Sequence, residues 1–243
     1  MLSIEMKRNA FRVLATLAFA AAPAFASPIF VNNFSFETYP VLDGVGCPSP
    51  CAYDTGAIPG WPATAGITTN TISGQIQPGG LAGTIPDALF NTLSDGVTSA
   101  YSNGPTLSQQ VGATVGVGTV YTLLVDIGQR MDSGSGSYGG SADLLIGATA
   151  GNGGAHTTIL AAGTAPDLGK WSTFTLMYLG TAADAGATIT IELKNSLGVV
   201  GNVTHQGNFD NVQLSAVPEP ASFLLIGSAL LALTAFRRRR PIA

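Results

Sequence analysis

Three stretches of the chain alternate apolar and polar residues with a period of two, and this pattern limits the fold more than any other feature. Residues 121–127, 171–179 and 189–193 each place apolar side chains on one face of an extended strand. Weaker strand patterns occupy residues 33–37, 97–101, 106–111, 142–149, 159–162 and 209–214. Clusters of Gly, Asn, Asp or Pro separate most of these stretches. The sequence therefore predicts an all-β, two-layer antiparallel sandwich of about nine strands.

The N-terminal residues have the composition of an export signal. Lys7, Arg8 and Arg12 precede an apolar run over residues 13–22, and small residues follow up to Ala26. This order is typical of a secretory signal peptide, in which a short apolar helix ends before a cleavage site. The run is shorter than the roughly 20 residues that cross a bilayer, so a retained membrane anchor is the weaker alternative. We expect residues 1–26 to be a signal helix that signal peptidase removes.

The C-terminal residues carry a second apolar segment between a proline-rich motif and a basic cluster. Residues 221–236 are apolar and, as a helix, would span roughly 24 Å. This predicts a short transmembrane helix whose arginines lie at the cytoplasmic interface. The proline-rich motif consists of Pro218, Glu219 and Pro220, and the basic cluster consists of Arg237, Arg238, Arg239 and Arg240.

The order of motif, apolar helix and arginine cluster in residues 217–243 resembles the PEP-CTERM sorting signal. The resemblance implies that an exosortase-type membrane protease cuts at the motif and passes the body to the cell surface or the medium, often alongside exopolysaccharide. The protein would then be anchored only transiently in the inner membrane. An ordinary single-pass tail anchor is the alternative.

The remaining residues, 27–216, form the predicted sandwich domain, and they are strongly acidic. Three cations, Arg130, Lys170 and Lys194, stand against twelve acids, which gives a formal charge of −9. Nothing in this composition could displace counterions from a phosphate backbone, so nucleic acid is excluded as a partner.

Cys47 and Cys51 are the only cysteines. An exported protein is exposed to an oxidising compartment, so the pair is predicted to form a disulfide that closes a small loop. A redox-active pair normally has two intervening residues rather than three, and a metal site would lack its remaining ligands.

Three short motifs of the body resemble galactose-binding-like jelly rolls and related carbohydrate-binding modules. They are the segments at residues 33–37, 58–61 and 209–214. The resemblance implies jelly-roll connectivity, adjacent first and last strands, and a structural Ca²⁺ with Glu37 and Asp210 as candidate ligands. Carboxylates solvated at the end of a sheet are the alternative. The period of two also predicts that Asp210 shares a face with Val212 and Leu214.

Aromatic side chains are the candidates for sugar contacts. Aromatic platforms for sugars could come from Trp61, Tyr101, Tyr138 or Trp171, and of these Trp61 and Tyr138 are the two predicted ligand contacts. A tryptophan in a sandwich is, however, more often part of the core.

The sequence contains no catalytic motif that we can identify. Its two histidines, His156 and His205, lie in different loops and have no nucleophile motif beside them. We therefore expect a non-catalytic surface or extracellular matrix protein, associated with exopolysaccharide through its sandwich. The alternatives are a secreted hydrolase acting on polysaccharide and a purely structural surface component.

Overall fold

The computed structural model describes residues 25–39, 52–64, 72–79, 85–86, 89–132, 138–147, 157–195, 199–200 and 203–218. The predicted signal helix and transmembrane helix lie outside these residues. Within the described ranges, no helix has the length and apolarity that a membrane crossing requires.

Fourteen strands make up the described secondary structure. In chain order they are β1 Ser27–Ile29, β2 Ala52–Thr55, β3 Ala63–Thr64, β4 Ser73–Gln77, β5 Ser99–Ser102, β6 Thr106–Thr114, β7 Thr119–Gln129, β8 Gly140–Ile146, β9 Thr157–Leu160, β10 Lys170–Leu179, β11 Thr188–Asn195, β12 Val199–Val200, β13 Val203–Thr204 and β14 Gly207–Pro218.

The strands form two main sheets. Sheet A has the order β10-β7-β14-β5-β4-β2, with β1 beside β14. Sheet C has the order β3-β6-β11-β8-β9, and β12 and β13 form a separate hairpin. A long ladder pairs β10 with β7 over ten residues on each strand, from Lys170 opposite Gln129 to Leu179 opposite Val120. β1 and β14 pair antiparallel, which places the start and the end of the body next to each other.

The period-two alternation of apolar and polar residues explains how the sheets pack. Leu123, Val125 and Ile127 of β7 are fully buried, and they belong to the same core cluster as Ile189 and Ile191 of β11. Each such side chain contributes about 1.5–3 kcal/mol when it is removed from water. The inner faces of sheets A and C therefore form the core, and the prediction of an all-β sandwich of two antiparallel sheets is confirmed.

Residues 33–37 form a turn, and the prediction of a strand there is wrong. Asn33 and Phe36 have positive φ angles of 49° and 54°. The side chain of Asn33 fixes the turn, because its Oδ1 accepts a hydrogen bond from the Thr38 amide and its Nδ2 donates to the Thr38 carbonyl. Phe36 still enters the core, where it packs against Trp61 with ring centroids 5.5 Å apart.

Candidate active site

The outer face of sheet A, which points away from the core, carries a group of acidic side chains that includes the buried Asp210. On β14, Phe209, Val212 and Leu214 point into the core. Asn211 has a φ of 48°, so the strand bulges at this residue and its alternation is shifted by one. Asp210 consequently lies on the outer face, and the prediction that it shares a face with Val212 and Leu214 is wrong.

Asp210 is a buried carboxyl group with two backbone donors. It is 1% exposed, its Oδ2 accepts a hydrogen bond from the Asp95 amide at 3.0 Å, and its Oδ1 accepts one from the Asn211 amide at 2.8 Å. Burial is the largest cause that raises the pKa of Asp210 to about 8. The two amides oppose this rise, and the charges of Asp95 and Glu37 add to it. Asp210 is therefore largely protonated at neutral pH.

Glu37 binds the same segment of chain as Asp210. Its Oε1 accepts hydrogen bonds from the amides of Val97 and Thr98, each at 2.8 Å. Gly96 turns the chain here with a φ of 57°, and a Cβ at this position would overlap Glu37 Oε1. The segment from Ser94 to Thr98 is thus wrapped closely around two carboxyl groups.

Asp126 is the third acid on this face. It lies on β7 between the core residues Val125 and Ile127, so its side chain points outward. Its carboxylate accepts hydrogen bonds from Ser94 Oγ at 2.7 Å, Thr173 Oγ1 at 2.5 Å and Asn211 Nδ2 at 3.0 Å. Asp126 therefore links β7, β10, β14 and the segment from Ser94 to Thr98.

An aromatic cluster adjoins the acids on the outer face of sheet A. Phe90 stacks on Trp171 with ring centroids 4.9 Å apart, and Trp171 Nε1 donates to the Thr92 carbonyl. The side chains that share the cluster are Tyr53, Ile76, Leu89, Phe90, Tyr101 and Trp171. This cluster holds residues 89–92, which precede the segment from Ser94 to Thr98, against the sheet.

An apolar groove lies along the same face, over β7, β14 and the residues that follow β1. Its volume is about 410 Å³, and the outward-facing side chains of Leu124 on β7 and Gln213 on β14 line it. Phe30 and Phe34 line it although they are 81% and 45% exposed. Gln213 Nε2 donates to Asn211 Oδ1, and Asn211 Nδ2 donates in turn to Asp126. These two hydrogen bonds link the groove to the Asp126 carboxylate.

Of the residues predicted as metal ligands, Glu37 and Asp210 do come together, because both accept hydrogen bonds from the segment between Ser94 and Thr98. Each of them already accepts two backbone hydrogen bonds. Within the described part of the chain, no three His, Cys, Asp or Glu side chains form a group that could hold a metal ion. The pair supplies oxygen ligands of the type that calcium prefers, but too few side chains for a complete site.

The predicted aromatic contacts lie in or against the core. Trp61 is completely buried, and its Nε1 donates to the Asn33 carbonyl at 3.2 Å. Tyr138 is half-buried and packs against Phe174 with ring centroids 5.6 Å apart. Neither ring presents an open face on the groove.

The other predicted site residues fall mostly outside the described part of the chain. Pro218 ends β14, whereas the remaining sorting residues and the two cysteines are not described. His156 is also outside, and His205 is buried with its carbonyl bonded to Asn195 Nδ2. The Cys47–Cys51 disulfide stays a prediction.

Sequence reasoning missed Asp95, Asp126 and Phe90, although it named Tyr101 and Trp171 of the aromatic cluster as candidate sugar platforms. Asp126 did leave a signal, because it is the only carboxylate in the strongly apolar strand β7. Asp95 and Phe90 left none, because their contacts with β14 and Trp171 join residues far apart in the chain.

Two family matches cover almost all of the chain. Residues 27–215 match the HpiC1-like family, described as HpiC1 cyclase, and residues 216–240 match the PEP-CTERM protein-sorting motif. The PEP-CTERM identification is therefore confirmed, and the chain carries an export and sorting signal processed by an exosortase-type protease. No curated protein is similar enough in sequence to count as a match.

Solved structures of cyclases have the same fold. The Stig cyclase Fisc from Fischerella sp. TAU, in complex with (3Z)-3-(1-methyl-2-pyrrolidinylidene)-3H-indole, is 22% identical with a TM-score of 0.60 over 80% of this chain and 99% of its own. A Fischerella sp. TAU cyclase in complex with 4-(1H-indol-3-yl)butan-2-one is 22% identical with a TM-score of 0.59 over 79% and 98%. The CBM22-1 xylan-binding domain from Paenibacillus barcinonensis is more distant, at 14% identity and a TM-score of 0.45 over 81% and 99%.

The prediction that the protein is not an enzyme is wrong. The match to a cyclase family extends over the whole sandwich domain, and it overturns an expectation that rested on the lack of a catalytic motif.

Proposed function

Because the chain belongs to the HpiC1-like cyclase family, we propose that it is an exported enzyme that closes a ring in an apolar small molecule by acid catalysis. The observation that carries the proposal is Asp210, a carboxyl group whose pKa of about 8 keeps it protonated at neutral pH. A general acid is most useful when its pKa lies near the working pH. The groove on the same face, which includes Gln213 three residues further along β14, supplies an apolar surface for the substrate.

The reaction follows from a proton donor set in an apolar environment. Asp210 donates its proton to a π bond of the substrate, and the resulting electrophilic carbon is attacked by a second π bond to form the ring. A proton then leaves a neighbouring carbon and returns to the carboxylate, so the product is an isomer of the substrate. Asp126, with three hydrogen bonds, holds Asn211 and the bulge that aims Asp210 outward.

Access to Asp210 requires the segment from Ser94 to Thr98 to move. This segment is tied to the sheet through hydrogen bonds to Asp126, Asp210 and Glu37 rather than through buried apolar side chains. Water can replace such bonds at low net cost, since a hydrogen bond contributes only about 0.5–1.5 kcal/mol on balance. The buried Leu89 and Phe90, which precede the segment in the chain, stay packed against the sheet while the segment moves.

The proposed substrate has a flat, apolar ring system. Phe30, Phe34 and Leu124 offer carbon surface in the groove, and the partly buried Trp171, which stacks on Phe90, adds aromatic surface on the same face of the sheet. The two Fischerella structures named above hold indole compounds, which have this character.

The proposal is tested with an alkenyl indole in D₂O. The wild-type protein is expected to yield a cyclic isomer that carries one deuterium, detected by mass spectrometry. Asp210→Asn should lower the rate at least about 100-fold, because the general acid is lost. Asp132→Asn, at an exposed carboxylate, is the matched control and should keep the rate. Equal rates for Asp210→Asn and the wild type would overturn the assignment.

Binding is measured separately so that an unsuitable substrate is not mistaken for a missing site. The probe is 4-(1H-indol-3-yl)butan-2-one, and its binding is measured by isothermal titration calorimetry. Asp210→Asn should still bind it, whereas Leu124→Asp should not, because a charge in the groove must be desolvated.

Calcium is the competing occupant of this site. A cation between Glu37 and Asp210 would displace the proton of Asp210 and relieve the repulsion between the two acids. Chelator should then lower the melting temperature of the protein, and a melting temperature indifferent to chelator would retire the calcium prediction.

A further inference from the structure

A charged group on the opposite side of the sandwich has no part in the proposed reaction. It lies on the outer face of sheet C and consists of Asp143 from β8 and Glu192 and Lys194 from β11. Lys194 Nζ lies 2.6 Å from Asp143 Oδ2 and 2.6 Å from Glu192 Oε2. The Asp143, Glu192 and Lys194 side chains are 10%, 13% and 32% exposed, so Lys194 is the open member.

The strand register places this group in a row across the sheet. Leu160 of β9 is opposite Asp143, Asp143 is opposite Glu192, and Glu192 is opposite Ser108 of β6. Residues directly opposite in a sheet share a face, so the four side chains point to the same side. Leu160 is 63% exposed and gives this row an open apolar end beside its charged centre.

One atom of the group lacks a partner. Asp143 Oδ1 is buried and accepts no hydrogen bond, although the residue is only 7% exposed. An unmet buried acceptor costs about 1–3 kcal/mol, and more for a charged group. Lys194 has three N–H donors and gives one to each carboxylate, which leaves one donor to offer. The group thus needs a partner that both donates and accepts, as a hydroxyl does.

Charge decides the class of that partner. Two carboxylates and one ammonium leave a net charge of −1, so the group repels an anion. A cation would have to compete with Lys194. Burial lowers the pKa of Lys194, but its hydrogen bonds to Asp143 and Glu192 outweigh burial and raise it, so the ammonium stays charged. A neutral ligand rich in hydroxyl groups fits best.

We propose that the outer face of sheet C binds a neutral saccharide, with adjacent hydroxyls held by Asp143 and Lys194 and the apolar face of the sugar ring on Leu160. The long, flexible stem of Lys194 lets its ammonium move aside to admit a hydroxyl to Asp143 Oδ1 and then donate to that hydroxyl. The site is independent of Asp210, which lies on the outer face of the other sheet. A neutral exopolysaccharide would provide the hydroxyl groups and the absence of charge that this site requires.

The test is affinity electrophoresis of the full chain in detergent micelles, in gels containing dextran, xylan or galactomannan. At least one neutral polysaccharide should retard the wild-type protein, and anionic alginate should not. Lys194→Met and Leu160→Ser should each weaken binding about tenfold or more, because they remove the donor and the ring contact. Lys170→Met, at an exposed ion pair with Asp167, is the matched control and should bind normally.

Two further comparisons keep the test decisive. Leu160 is exposed, so Leu160→Ser should fold even where a change at Lys194 does not, and circular dichroism checks both variants. Asp210→Asn should bind polysaccharide as the wild type does, which separates this site from the cyclase site. The proposal is overturned if all neutral gels leave the wild type unretarded, if alginate retards it more strongly, or if Leu160→Ser binds equally well.

Discussion

Asp210 makes the stability of the body depend on pH. Its pKa is about 8 in the folded protein, against an ordinary value of 3.8, so the folded state binds the proton more tightly than the unfolded state. The stabilising effect of the proton is complete below about pH 4 and is lost as the pH rises towards 8. We expect the free energy of unfolding to fall by up to about 1.4 kcal/mol per pH unit in this window.

Urea unfolding at pH 5, 6, 7 and 8 measures this effect. Asp210→Asn should remove most of the slope, because an amide does not titrate. Asp132→Asn, whose side chain is exposed, should retain it because Asp210 is intact. A slope that is the same in Asp210→Asn and in the wild type would contradict the assignment of the proton to Asp210.

Gly96 is expected to be intolerant of a side chain. Its φ of 57° strains any other residue by about 1–2 kcal/mol, and a Cβ would also overlap Glu37 Oε1. Gly186→Ala is a close control, since Gly186 has a φ of 77° and open space around it. Gly96→Ala should lower the free energy of unfolding more than Gly186→Ala, and the difference reports the contact with Glu37. Equal losses in urea unfolding would show that Glu37 moves away freely.

Glu37 and Asp210 show which properties of single residues the sequence can predict and which it cannot. Glu37 and Asp210 were predicted to lie together from a resemblance, and they do meet at one segment. The raised pKa of Asp210 depends on burial under residues 94–98, a contact between parts of the chain more than a hundred residues apart. A local sequence pattern does not show contacts between residues far apart in the chain. Asp210 was therefore predicted to bind a metal ion, and the enzymatic function was not predicted.

At the scale of elements, period-two strands were predictable because their signal is local. β7, β10 and β11 follow the alternation of their apolar residues. The turn at residues 33–37 has apolar residues at strand spacing, but the hydrogen bonds of the Asn33 side chain decide its shape. The bulge at Asn211 also overrides the apolar alternation. A single residue with a positive φ there reverses which side chains face the core.

The fit of β7 under the aromatic cluster gives a test at this scale. A Cβ added at Gly128 would lie 2.8 Å from Trp171 Cε3 and 3.0 Å from Phe90 Cε1. Gly128→Ala should therefore push the stacked rings away from the sheet and cost about 1–3 kcal/mol. Near-ultraviolet circular dichroism and urea unfolding measure the two effects. Gly112→Ala, with nothing within 4 Å of its Cβ, should change neither, and an unchanged spectrum in Gly128→Ala would contradict the packing described.

For the whole molecule, the processing of both ends is a prediction that mass determination can check. Protein isolated from the medium should begin at Ser27, where β1 begins, and should end near Pro218, where β14 ends. It should also be two hydrogens lighter than the reduced chain if Cys47 and Cys51 are joined. A mature species that keeps residues 1–26 would contradict signal cleavage, and a free thiol would contradict the disulfide.

The register of β1 against β14 has a mechanical consequence. Ser27 lies opposite Ala216, so a force applied between the two ends of the body acts on neighbouring residues of one antiparallel pair. Such a force would open the three-residue ladder one hydrogen bond at a time, like a zipper, instead of shearing all of its bonds together. A surface protein tethered at one end and pulled at the other would yield first at this short strand, while the ten-pair ladder of β7 and β10 bears no load.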